Sequence, residues 1–146
     1  MIFTLTVVNV SFLDKGVVKS ELDLLHTTCM YLQQSALESG EVQILQFDLE
    51  TNSYSFEKQI KQLKLPVQFG IAGTALGPPS NPYNKIKDPI TFQKKQIMFY
   101  PEGIISSGTV YLTDRDKKSL YALSNGIAHI SHLRKYRYTG KWELIR

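Results

Sequence analysis

Three histidines, His26, His129 and His132, are the first side chains to weigh for metal or acid–base chemistry. His129 and His132 stand three apart in a segment that reads as a strand. The period of two turns them to opposite faces, so they cannot jointly grip a metal. His26 is distant in sequence, on a predicted helix. Asp114 and Asp116 are spaced like metal ligands, but Arg115, Lys117 and Lys118 surround and neutralise them, and a hairpin tip is the expected reading. Ser106 and Ser107 occupy a turn without the glycines of a nucleophile elbow. Gly70-Ile71-Ala72-Gly73 has no helix signal after it, as a phosphate cradle requires. Cys29 is the single cysteine, so there is no disulfide framework and no cysteine-based zinc site. No nucleophile, base and oxyanion donor come together. The expectation is a chain with no catalytic residue, no metal and no cofactor.

The strongest binding candidate is the C-terminal run, in which Arg134, Lys135, Arg137 and Lys141 interleave with Tyr136, Tyr138 and Trp142. Cations among flat aromatics are the composition used on single-stranded nucleic acid. On a strand, however, Lys135 and Arg137 point one way and Tyr136 and Tyr138 the other, which is equally what a sheet with a buried aromatic face and a wet basic face requires. Charge is unevenly placed along the chain. Residues 1–66 carry five Lys against eight acids, a net −3, and residues 67–146 carry twelve Lys and Arg against five acids, a net +7. A basic end can meet an anionic partner, or it can be a solvated face.

Positioning these residues are one helix and a series of strands. The 146 residues suffice for one domain with a core. Val18, Leu22, Leu25, Cys29, Leu32 and Ala36 follow at steps of four and three, the seam of a helix over about Val17–Ser39 with one face packed. Leu24 and Leu37 widen the seam, whereas Lys19, Glu21, Asp23, Gln33 and Glu38 lie off it. Cys29 is therefore expected as a small core residue. Gly40 stands where a terminating glycine belongs. Met1–Leu13 is too short for a membrane span. It reads as a buried strand when taken alone, or as the end of a longer hydrophobic helix when taken together with the helical seam.

After Gly40 the period becomes two. A hairpin is predicted over Val42–Phe47 and Tyr54–Phe56, then a polar connection over Lys58–Lys64 and a short strand over Val67–Ile71. The proline-rich Gly73–Asp88 segment reads as a long loop. A β-meander comes next: Ile90–Phe92, Gln96–Tyr100, Thr109–Thr113, Leu120–Ser124, Ile127–Leu133, Tyr136–Tyr138 and Trp142–Ile145. Asn125-Gly126 is its strongest turn signal, a two-residue type I′ hairpin. One helix followed by antiparallel strands makes the fold class α+β.

Three segments carry a resemblance to a known family. The helix ends in Tyr31-Leu32-Gln33-Gln34-Ser35-Ala36-Leu37-Glu38-Ser39-Gly40. Ile97-Met98-Phe99-Tyr100-Pro101-Glu102-Gly103 is followed by Ser106-Ser107-Gly108-Thr109-Val110. A late strand pair around Ser124–His132 ends in a basic tail. Over about residues 17–138 the chain resembles the minor pseudopilins and type IV pilin-like proteins, the group of the GspH and FimT proteins. Family precursors open with a basic leader, a Gly-Phe processing site, a nearby Glu and about twenty apolar residues. Here Phe3-Thr4-Leu5 echoes that motif, with Val7 where the Glu falls and a shorter apolar run.

The resemblance implies a pilin-like fold: one long N-terminal helix packed on antiparallel β-sheets, with residues 1–16 the remnant of a membrane helix and residues 17–146 a single globular domain. It further implies a non-enzymatic subunit of type II secretion or type IV pilus machinery in the bacterial cell envelope, anchored in the inner membrane if a longer form carries the anchor, with the globular part in the periplasm. Val18, Leu22, Leu25, Cys29, Leu32 and Ala36 would pack on the protein's own sheet. The partners would be other pilin or pseudopilin subunits and exported cargo. Two alternatives stay open. One is a pilin-like receptor for DNA uptake, using Arg134, Lys135, Arg137 and Lys141. The other is an unrelated β-rich ligand-binding domain with the Gly73–Asp88 loop as a lid.

Overall fold

A computed structural model describes residues 2–72, 77–81, 83–126 and 132–146, with residues 2–15 described by their backbone alone. Helix α1 spans Ile2–Ser39 in 38 residues. At 1.5 Å per residue it is roughly 57 Å long. It therefore begins well before the Val17 start suggested by the seam, and residues 2–13 form helix, not a strand. Its end is sharp: Gly40 takes φ +73° and its N–H donates to the Ala36 carbonyl at 3.0 Å. A side chain in that left-handed conformation would be strained.

Among the described residues, nine strands follow. They are β1 Gln43–Asp48, β2 Ser53–Phe56, β3 Gln59–Gln62, β4 Gln68–Phe69, β5 Gln96–Phe99, β6 Gly108–Thr113, β7 Leu120–Asn125, β8 Arg134–Tyr138 and β9 Trp142–Ile145. They make two antiparallel sheets, ordered β3-β2-β1-β5 and β4-β6-β7-β8-β9. Helix α1 packs against β1 and β5 of the first sheet and β6 and β7 of the second. One core fills the space between. Val18, Leu22, Leu25, Cys29, Leu32 and Ala36 meet Leu45, Phe47, Ile97 and Phe99 from one sheet and Val110, Leu112, Tyr121 and Leu123 from the other. Each fully buried Leu of the seam contributes about 1.5–3 kcal/mol by leaving water.

Four expectations are corrected. Lys58–Lys64 is not a plain connection, because β3 lies within it, paired to β2 through a two-residue turn. Glu57 and Lys58 make that turn with φ 48° and 65°, the backbone of a type I′ turn without its usual Asn-Gly, so no turn signal marks it in the sequence. Ile90–Phe92 is not a strand: Ile90 bridges Val110 alone, while the Thr91 hydroxyl accepts from the Thr109 N–H and breaks the ladder. Asn125-Gly126 is not a tight hairpin turn. Strand β7 continues through Asn125, and Ser124 pairs with Arg134, so the connection to β8 is long. The Asn125 side chain is committed elsewhere, donating to the Ile105 carbonyl at 2.9 Å. Residues 127–131, including His129 and most of the predicted Ile127–Leu133 strand, lie outside the described residues. Finally, Glu21 is buried although it falls off the seam, and Leu24 and Leu37 are exposed rather than widening it.

Glycine at 108 has a steric reason. It sits at φ +152°, and a Cβ there would lie 2.6 Å from the Phe92 ring. Ser106 assists the same region: its hydroxyl accepts from Met98 N–H at 2.9 Å, and its own N–H donates to the Met98 carbonyl at 3.0 Å. The Pro101-Glu102 turn is closed by Gly103 N–H donating to the Tyr100 carbonyl. It is tied to the helix by Gln33, whose Nε2 donates to the Gly103 carbonyl at 3.4 Å. The motif that carries the family resemblance therefore joins the two sheets to α1.

Candidate functional site

The C-terminal strand pair is built on period two. Lys135 and Arg137 stand on the face of the second sheet turned towards α1; Arg134, Tyr136 and Tyr138 stand on the other. Register fixes the assignment, since Leu123 opposes Lys135 while Ala122 opposes Tyr136. Leu123 belongs to the helix core, and Ala122 to a second cluster with Tyr111 and Leu120.

On the helix side the cations are paired. Asp23 bridges Lys19 at 2.8 Å and Lys135 at 2.9 Å. Burial raises the Asp23 pKa, but hydrogen bonds from Lys19 and Lys135 outweigh it and hold the carboxyl below its ordinary value. Arg137 pairs with Glu143, its direct partner across β8 and β9, at 3.2 Å. His26 lies beside this network. Burial lowers its pKa most, the Lys135 charge adds to that, and a hydrogen bond with the Leu133 backbone opposes it. Of the four cations proposed to meet nucleic acid, two are thus neutralised by carboxylates, which is not how a phosphate-tracking strip is arranged.

The other face is partly covered. Ile71, Ile86, Tyr136, Tyr138 and Trp142 pack on the second cluster, and the Trp142 indole N–H donates to the Gly77 carbonyl at 2.6 Å. At Gly77 and Ile86 the long loop therefore lies against the outer face of the second sheet, and Arg134 and Lys141 open on clefts beside it. No signal in the sequence marks this contact, because no periodic pattern links Gly77 to Trp142.

The remaining candidates have structural roles. Asp114 Oδ1 accepts from Lys118 N–H at 2.7 Å and so builds the turn between β6 and β7. Cys29 is fully buried, and burial pushes its thiol pKa up. Among the described residues, no group of three or more His, Cys, Asp and Glu side chains is placed to hold a metal. Two positions stand out that sequence reasoning passed over. Tyr31 is half exposed, yet its hydroxyl donates to the Glu57 carboxylate at 2.9 Å, pinning the β2–β3 turn to α1. Glu21 Oε1 accepts from Lys64 N–H at 3.2 Å, joining α1 to the segment after β3. A carboxylate beside an apolar seam is the one sequence signal that points to Glu21.

A helix crossing two antiparallel sheets is also the arrangement of the minor pseudopilin EpsH from the type 2 secretion system of Vibrio cholerae. One structure of EpsH aligns with 80% of this chain and 94% of its own at 14% identity, with a TM-score of 0.55. A second aligns with 90% of this chain and 94% of its own at 13% identity, with a TM-score of 0.52. The fold is pseudopilin-like. No family model matches the sequence, and no curated protein matches it. In this fold the basic strand pair lies on the flank of the second sheet. Among the described residues, no helix is long and apolar enough to cross a membrane.

Proposed function

We propose that this chain is a non-enzymatic minor-pseudopilin subunit of a type II secretion or type IV pilus-like assembly in the bacterial cell envelope. The observation that carries the reading is the likeness to EpsH, which covers 80% of this chain and 94% of that protein's chain. On this reading α1 is the spine of a short fibre, and its seam from Val18 to Ala36 fastens the globular part to it. The partners are other pilin or pseudopilin subunits and exported cargo. Any membrane anchor belongs to the helical end of the subunit.

The test is genetic. Deleting the gene in its own bacterium should abolish either export through a type II system or piliation, and the unaltered gene should restore it. Unchanged secretion and piliation in the deletion strain would sink the proposal.

A further inference from the structure

The four cations of the C-terminal strand pair divide by face. Lys135 and Arg137 are paired with Asp23 and Glu143. Arg134 and Lys141 form no ion pair among the described residues, although Lys141 lies near enough to Glu143 to help lower that carboxyl's pKa. The unpaired two open on two clefts that share Pro79 as a common wall. The first, about 370 Å³, is lined by Ser80, His132, Arg134 and Tyr136 beside the end of β7. The second, about 360 Å³, is lined by Tyr83, Tyr138, Lys141 and Trp142. Among the described residues, neither cleft has a carboxylate in its wall. Tyr83 is 90% exposed, an aromatic ring left in water at the mouth of the second cleft.

The spacing of the clefts is set by β8. Arg134 and Tyr138 share a face four residues apart, so they stand about 13 Å from one another along the strand. An extended peptide has the same rise and the same alternation, and its side chains at i and i+4 fall on that spacing and on one side. We propose that this face binds an extended peptide segment, seating an acidic side chain against Arg134 and His132 and a proline four residues away among Tyr83, Tyr138 and Trp142. The guanidinium fork suits a carboxylate, which it can hold through two parallel hydrogen bonds. The ring-lined slot suits a rigid apolar side chain, as aromatic grooves do for prolines. Charge agrees, since residues 67–146 carry a net +7. A nucleic acid fits less well, because two unpaired cations neutralise too few phosphates to hold a strand. The proposal does not depend on the chain being an assembly subunit.

The probes are two acetylated, amidated peptides, Asp-Thr-Ala-Thr-Pro and its reverse Pro-Thr-Ala-Thr-Asp, titrated into the full chain. Calorimetry reads binding. The fluorescence of Trp142, the single tryptophan, reads occupancy of the second cleft. At least one order should bind and shift the emission. Replacing the peptide's Asp by Asn, or Arg134→Gln in the protein, should each weaken binding about tenfold, whereas Arg137→Gln should change it less than about twofold. Circular dichroism melts should confirm that both exposed-site variants remain folded. The proposal is overturned if neither order binds, if the Asn peptide binds equally, if Arg137→Gln is as damaging as Arg134→Gln, or if oligothymidylate of matched charge outcompetes the peptide.

Discussion

The two sheets share a helix but not an environment. In the first, β1 alternates: Leu45 and Phe47 are buried while Ile44 and Gln46 face outward. In the second, every residue of β7 is buried, and five of the six in β6. The difference is the second layer. Beyond the outer face of β6 and β7 lie Ile71, Ile86 and Trp142, whereas Ile44 and Ile60 on the outer side of the first sheet are exposed. A sheet covered on both faces loses its polar alternation, and Leu120-Tyr121-Ala122-Leu123 shows that loss in its sequence. The contrast teaches that Ile71, Gly77, Pro79 and Ile86, between β4 and β5, help to wall the domain and shape the clefts beside it.

The largest test of that contrast is a pair of truncations. Tyr111→Ala, under the loop, should cost about 3–5 kcal/mol, and Ile60→Ala, on the open face, less than about 0.5 kcal/mol, both read by urea denaturation. Equal costs would break the comparison. Next in size is Gly108→Ala at the junction of the sheets. With a Cβ 2.6 Å from Phe92, it should cost about 1–3 kcal/mol, seen as a lowered melting temperature.

Smaller effects separate the helix side of the second sheet from the first. Because the folded protein holds His26 below its ordinary pKa of 6.5, the unfolded chain takes up the proton first. Its contribution is complete above that value and declines as pH falls through the folded pKa. Asp23, also lowered, follows the same direction at more acid pH. His26→Gln should therefore flatten the fall in melting temperature between pH 7 and pH 5; an unchanged slope would remove His26 from the account. The smallest effect belongs to the first sheet. Lys58→Gly relieves a side chain held at φ 65° and should stabilise the hairpin by about 0.5–1 kcal/mol in the same urea assay.

How much was legible depended on how local the cause was. The seam from Val18 to Ala36 could be read because helical spacing alone turns those six side chains to one face. The β1–β2 hairpin and β9 were legible for the matching reason in strands. The β2–β3 hairpin was not, because Glu57-Lys58 takes a conformation that Asn-Gly favours and that Tyr31 helps to hold from 26 residues away. Asn125-Gly126 misled in the opposite sense. Its composition suits a turn, but Ile105 claims the Asn125 amide and extends β7 instead.

The candidate site divides along the same line. Spacing and composition are enough to set Lys135 and Arg137 opposite Tyr136 and Tyr138, to gather charge in the C-terminal half, and to put one helix ahead of a set of strands. Which cations are neutralised depends on long-range packing. Lys135 meets Asp23 from 112 residues away, and Trp142 meets Gly77 from 65. Contacts of that range form only when the helix, the two sheets and the loop have packed around a common core, so no local pattern records them.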